Sequence, residues 1–266
     1  MQAATPPIGI FDSGVGGLTV LAALRQRLPQ LPLIYLGDTA RVPYGTKSPA
    51  VVQRYALKAG HFLRAQGAKT LVIACNTASA YGLDALAAEL EMPVLGVVEP
   101  GAELAARHSG NLCVGVLGTE GTIASGSYQR ALSRLLPGAR ISAAACPLFV
   151  PLAEEGMADH PATHLLAAEY LAPLQAAGVD TLVLGCTHYP LLRPAITRVM
   201  GDSVHIVDSA SAVAEAVAAA LPPRDRDVAR GAAAVKLFAT DAPERFARVG
   251  RAFLGEAVDA VTVVDV

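Results

Sequence analysis

The sequence predicts an α/β protein of two similar, pseudo-symmetric lobes. Each lobe is a mostly parallel sheet flanked by helices, and the active site is expected in the cleft between them. Three observations carry this. Short apolar, β-branched runs alternate with helix-length segments, the pattern of βαβ units. Two of those runs match: Thr70-Leu71-Val72-Ile73-Ala74-Cys75-Asn76-Thr77 and Thr181-Leu182-Val183-Leu184-Gly185-Cys186-Thr187-His188, with the cysteines 111 residues apart. Three further echoes recur at nearly that offset: Gly115 answers Gly9, Val150-Pro151 answers Val42-Pro43, and Ile206-Val207-Asp208 answers Val97-Val98-Glu99. One echo alone means little; four at a near-constant offset indicate an internal duplication.

Taken in order, Ile8-Gly9-Ile10-Phe11 reads as a buried strand because it is uninterrupted and apolar. The glycine-rich stretch Asp12-Ser13-Gly14-Val15-Gly16-Gly17 turns the chain into a helix from Leu18 to Leu28. Leu33 to Leu36 is the next strand, and Arg41-Val42-Pro43-Tyr44-Gly45 a loop. A helix runs from Ser48, as N-cap with Pro49 at the first position, to about Gln66. The Cys75 strand, a helix from about Ser79 to Leu90 and a strand from Val94 to Val98 complete the first series.

The second series opens at Val114-Gly115-Val116-Leu117-Gly118-Thr119 and runs through the Cys186 strand to Asp208. An alanine-rich helix, Ser209 to Leu221, follows, then Pro222-Pro223 and the sign-alternating stretch Arg224-Asp225-Arg226-Asp227, read as a solvated turn. Val235 to Ala239 reads as a strand, Ala242 to Leu254 as a helix and Val261 to Val264 as a last strand. So short a tail cannot bury a core of its own. It is expected to return to the first lobe, giving lobe one as 1–98 plus 209–266 and lobe two as 99–208.

Composition narrows the function classes. Of 266 residues, 53% are hydrophobic and 17% charged, which excludes a disordered chain. Net charge is −2 and no basic run occurs, so neither nucleic acid nor a membrane is expected as partner. Met1-Gln2-Ala3-Ala4-Thr5-Pro6-Pro7 lacks the basic and apolar segments of a signal peptide. Four scattered cysteines, Cys75, Cys113, Cys146 and Cys186, form no disulfide framework or C-x-x-C pair, so a reducing cytoplasm is the expected location.

The motifs point to a small anionic ligand. Open α/β sheets place their chemistry at the carboxyl ends of strands. Two thiols so placed, one per lobe, put a sulfur on each side of a ligand. The plainer alternative for either alone is a core cysteine. Gly14-Val15-Gly16-Gly17 invites a dinucleotide fingerprint but fails at Thr19, where glycine or alanine is needed, and no phosphate-loop lysine follows. What survives is a turn whose N–H groups can meet a carboxylate. Asp12, at a strand end, and His188, two residues after Cys186, can each take a proton from a neighbouring thiol. Asn76, Thr77, Thr119, Thr122 and Thr187 are small hydrogen-bonding residues at strand ends, suited to a carboxylate-bearing zwitterion or to helix caps. His160 and His164 have a spacing that zinc uses, but Pro161 and the lack of a third ligand favour an exposed helix start. Cys113 and Cys146 read as structural. No metal site and no flavin, nicotinamide or pyridoxal site is evident, so no cofactor is expected.

Five stretches resemble the glutamate racemase family: Ile10 to Val20, Gly37 to Gly45, Ala74-Cys75-Asn76-Thr77-Ala78-Ser79-Ala80, Cys146 to Leu152, and Gly185-Cys186-Thr187-His188-Tyr189-Pro190-Leu191. The tail stretch Thr240-Asp241-Ala242-Pro243-Glu244-Arg245-Phe246 is similar too. The resemblance covers nearly the whole chain. It implies cofactor-independent interconversion of L- and D-glutamate, supplying D-glutamate for peptidoglycan, by a homodimer. It also implies that Cys75 and Cys186 are the acid/base thiols, that Asp12 and His188 assist them, and that Glu154 assists near the second thiol. Substrate contacts carry over onto Asp12, Ser13, Tyr44, Gly45, Asn76, Thr77, Thr119, Thr122, Thr187 and His188. Aspartate racemase, or another two-cysteine racemase, is the alternative within the fold. A non-catalytic amino-acid-binding protein is the alternative outside the enzymes, though it has no need of paired thiols.

Overall fold

A computed structural model describes residues 5–221, 233–258 and 260–266. Ten strands lie among them: β1 Ile8–Asp12, β2 Leu33–Gly37, β3 Thr70–Ile73, β4 Val94–Gly96, β5 Cys113–Gly118, β6 Arg140–Ala145, β7 Thr181–Gly185, β8 His205–Asp208, β9 Val235–Ala239 and β10 Val261–Val263. The helices are α1 Leu18–Arg27, α2 Pro49–Ala65, α3 Asn76–Glu89, α4 Val98–His108, α5 Glu120–Ser125, α6 Ser127–Leu135, α7 Phe149–Glu154, α8 Pro161–Ala176, α9 Arg193–Met200, α10 Ser209–Ala220 and α11 Pro243–Leu254. The solvated turn expected at Arg224-Asp225-Arg226-Asp227, with Pro222-Pro223 before it, lies outside the described residues.

Two parallel sheets result. One has the order β10-β9-β2-β1-β3-β4 and the other β6-β5-β7-β8. The series 2-1-3-4 in the first is therefore repeated as 6-5-7-8 in the second, and β9 and β10 extend the first sheet beyond β2. Both faces of each sheet are covered. Ile8 and Ile10 of β1 pack with α1, α10 and α11 residues, whereas Phe11 packs with residues of α2 and α3. In β7, Leu182 and Leu184 enter one core and Val183 another. Strands buried on both faces carry no alternation, which is why they read as continuous apolar runs.

The duplication extends to packing. A Cβ on Gly9 would lie 3.0 Å from Ala68 Cβ and 3.2 Å from Leu63 Cβ. A Cβ on Gly115 would lie 2.6 Å from a Leu174 methyl and 3.1 Å from a Val179 methyl. Leu63 and Ala68 precede Cys75 by the same steps as Leu174 and Val179 precede Cys186. Each glycine thus admits the helix end that leads into its lobe's cysteine strand.

Three expectations need correction. Helix α3 starts at Asn76, not Ser79: Cys75 is its N-cap, with the sulfur accepting the Ala78 N–H at 3.4 Å. Ser79 instead lies inside the helix and accepts the Val97 N–H at 3.1 Å, tying α3 to the chain after β4. Strand β4 ends at Gly96, so Val97-Val98-Glu99 enters α4 while Ile206-Val207-Asp208 lies in β8, and that echo is out of register. Val42-Pro43 occupies a loop with a cis peptide bond, whereas Val150-Pro151 is helical within α7. Two-residue matches do not specify backbone conformation; the long strand matches do.

Candidate active site

The central strands of each sheet deliver the site. Asp12 ends β1, Cys75 follows β3, Gly118 ends β5, and Cys186 follows β7. Their carboxyl ends face a cavity of about 420 Å³ between the sheets. Ser13, Tyr44, Gly45, Cys75, Asn76 and Thr77 line it on one side, and Thr119, Glu154, Cys186, Thr187 and His188 on the other. Both thiols are buried, each 6% exposed, and all four cysteines are unpaired.

The first thiol sits in negative surroundings. Burial, and then the charge of Asp12, push Cys75 up to about 12, against hydrogen bonds from Ser13 and the Ala78 N–H. Asp12 is itself fully buried, and one of its oxygens has no hydrogen-bond partner. The other accepts the Gly14 N–H at 2.8 Å. Burial raises its pKa, opposed by His188 and by the N–H groups of Gly14 and Gly17. The carboxylate met by the glycine-rich turn is therefore the chain's own Asp12. Gly16 has a different duty: a Cβ there would lie 2.4 Å from both His188 Nδ1 and Thr187 Oγ1. Only glycine lets the turn of one lobe touch the Cys186 arm of the other.

The second thiol sits beside a histidine. Cys186 Sγ lies 3.8 Å from His188 Nδ1, and His188 Nε2 lies 2.9 Å from Glu154 Oε1. Burial alone would lower the His188 pKa; its hydrogen bonds with Cys186 and Glu154 outweigh this and raise it to about 10. That shift favours the imidazolium, the form in which the ring can donate to both partners. Burial would raise Glu154, but His188 and Arg245 together hold it below the ordinary glutamate value.

Not every expected substrate contact is free to make one. The Thr122 hydroxyl is 3.0 Å from those of Thr77 and Thr119, and Thr122 does not line the cavity. Nor does Asp12, which lies behind Cys75. The Tyr44 hydroxyl donates to buried Asp38 at 2.5 Å, so the residue turns its ring and backbone to the cavity. Asn76 Oδ1 accepts the Tyr128 hydroxyl at 2.7 Å, fixing the amide across the lobes.

Arg245, Val42, Pro43, Glu120 and Val150 also line the cavity and were not foreseen as site residues. Arg245 stood inside a matched tail stretch, the one signal available. His160 accepts the Ala162 N–H at 3.1 Å as the N-cap of α8, and the described residues contain no group of three or more potential metal ligands. Cys113, at the far end of β5, accepts hydrogen bonds from Arg140 at 2.8 and 3.2 Å. Cys146 is buried behind Cys186, and burial pushes it up to about 12.

The sequence pattern of Asp/Glu/Hydantoin racemases matches residues 18–217. The chain belongs to this racemase family. Within the family it is 53% identical to a glutamate racemase of Geobacter metallireducens over 257 residues, 93% of this chain and 92% of that one. The crystal structure of the Thermus thermophilus glutamate racemase with β-chloro-D-alanine is 45% identical, with a TM-score of 0.88, covering 98% of this chain and 97% of that chain. That of the Francisella tularensis enzyme with D-glutamate is 33% identical, with a TM-score of 0.91 and 98% of each chain covered. An aspartate racemase homologue from Pyrococcus horikoshii, 17% identical with a TM-score of 0.56, shares the fold alone.

Proposed function

We propose that this racemase interconverts L- and D-glutamate without a cofactor, by proton transfer between two thiols. The carrying observation is the pair of buried thiols at equivalent strand ends of two like-wound sheets, lining one cavity. Racemisation needs a proton removed from one face of Cα and another delivered to the opposite face. The family resemblance implies that Cys186 faces the Cα–H of L-glutamate and Cys75 that of D-glutamate. As a thiolate, Cys186 takes the proton of L-glutamate, and Cys75 then gives its proton to the other face and is left as the thiolate. D-glutamate runs the same steps backwards. His188 and Glu154 serve the Cys186 side, and Asp12 the Cys75 side. The carbanionic charge is stabilised by the hydroxyls, amides and N–H groups of Ser13, Gly45, Asn76, Thr77, Thr119 and Thr187 in a water-poor cavity.

Glutamate rather than aspartate is supported by the relatives at high identity, including the Francisella tularensis structure holding D-glutamate. The lobe division 1–98 plus 209–266 against 99–208 is supported by β9 and β10 joining the first sheet. We further read the product as D-glutamate for peptidoglycan, the assembly as a homodimer and the location as cytoplasmic; sedimentation and cell fractionation test the last two. Chiral chromatography of L-glutamate incubated with protein and no added cofactor tests the reaction. Conversion to the racemic mixture is expected; turnover of aspartate but not glutamate overturns the substrate assignment.

A further inference from the structure

Helix α11 belongs to the tail that returns to the first sheet, packing against α1 and β10. Two of its residues nevertheless reach the second thiol's machinery. Arg245 Nη2 donates to Glu154 Oε2 at 2.9 Å and lies 3.4 Å from Glu155 Oε1. Phe253, two turns later on the same face, meets the His188 ring edge-on with centroids 5.2 Å apart. The other Glu154 oxygen holds His188, whose Nδ1 faces Cys186. A continuous chain of contacts therefore runs from α11 across the cleft to the sulfur. Among the described residues, the hydrogen-bond partners of Cys75, Ser13 and Ala78, and its neighbouring carboxylate Asp12 all belong to its own lobe. A glutamate carboxylate free of its second donor can rotate away from the imidazole; a guanidinium on the opposite oxygen removes that freedom.

We propose that Arg245 is a positioning residue for the Cys186 arm: by clamping Glu154 from the opposite lobe it orients His188 on Cys186, and it does so only while the cleft is closed. The two ends of the clamp lie on different lobes, so parting the lobes breaks it. One thiol is thereby aligned when substrate is enclosed and loosened when product leaves. The proposal rests on the two-thiol reading above.

Arg245→Met and Arg245→Lys test it with α-deuterated L- and D-glutamate. Slowing the Cys186 step alone makes deprotonation of L-glutamate more rate-limiting and deprotonation of D-glutamate less so. For Arg245→Met, kcat should fall about tenfold, the scale of a charge-assisted hydrogen bond, with KM nearly unchanged. The substrate deuterium isotope effect should rise for L-glutamate and fall for D-glutamate. Arg245→Lys should restore most of both. Isotope effects that move together overturn the proposal, as does a KM rise for both enantiomers at constant kcat, which would make Arg245 a substrate contact. Absence of racemisation in the unsubstituted protein would instead sink the two-thiol reading itself.

Discussion

At the strand end beside Cys75 stands Asp12; at the matching position beside Cys186 stands Gly118. The register makes them equivalent, since Phe11 pairs with Ile73 and Leu117 with Leu184. Conversely, His188 occupies the place that Thr77 holds after Cys75. The two lobes thus share strand order, glycine-relieved helix packing and a thiol, but not the charge around it. Burial and then the Asp12 carboxylate push the Cys75 pKa up, whereas Cys186 faces His188, which is backed by Glu154 and Arg245. A duplicated scaffold supplies symmetric geometry, which a reaction interconverting mirror images requires. In the proposed mechanism the helpers need not be symmetric, because each has only to manage the proton of its own thiol.

The largest expected effect comes from removing either sulfur. Cys75→Ala and Cys186→Ala should each lower racemisation by about four orders of magnitude or more, since members of a catalytic unit fail together. Their residual chemistry should be opposite. In D2O, Cys75→Ala should exchange the Cα–H of L-glutamate only, and Cys186→Ala that of D-glutamate only, followed by NMR. If one variant exchanges both enantiomers at similar rates, a single base serves both faces and the comparison between lobes collapses.

Smaller, and aimed at the asymmetry, are Asp12→Asn and His188→Asn. Each should cost about 10²- to 10³-fold in kcat, the range for a group assisting proton transfer. Asp12→Asn should enlarge the substrate deuterium isotope effect for D-glutamate, and His188→Asn for L-glutamate. The same pattern from both would show that they act on one step rather than on one lobe each.

The mildest test is stability against pH. His188 moves from an ordinary 6.5 to about 10 in the folded chain. The folded state therefore binds this proton more tightly, and the stabilisation is full below about pH 6.5 and vanishes as pH rises through about 10. The melting-temperature advantage over His188→Asn should shrink by several degrees across that window. Asp12 is also raised, from 3.8, so its contribution falls as pH rises from there, and Asp12→Asn should gain on the parent chain in that lower window. A His188→Asn difference independent of pH between 6 and 10.5 would mean that the ring is neutral in the folded chain.

The chain's own pattern determined its fold class, its internal duplication and the cysteine at the end of each repeated strand. These are properties of continuous stretches: an apolar run buried on both faces, a glycine where a helix end presses on a strand, a cysteine one or two residues past the strand. Only the tertiary structure decided what surrounds the thiols. Glu154, His188 and Arg245 come from α7, the turn after β7 and the tail helix, and no spacing in sequence brings them together. Likewise, only packing revealed that the glycine turn serves Asp12, that the Tyr44 hydroxyl is taken by Asp38, and that Thr122 bonds other hydroxyls rather than facing the cavity. Secondary structure and burial follow local periodicity, whereas electrostatic partners are fixed by where the surfaces of the two lobes meet.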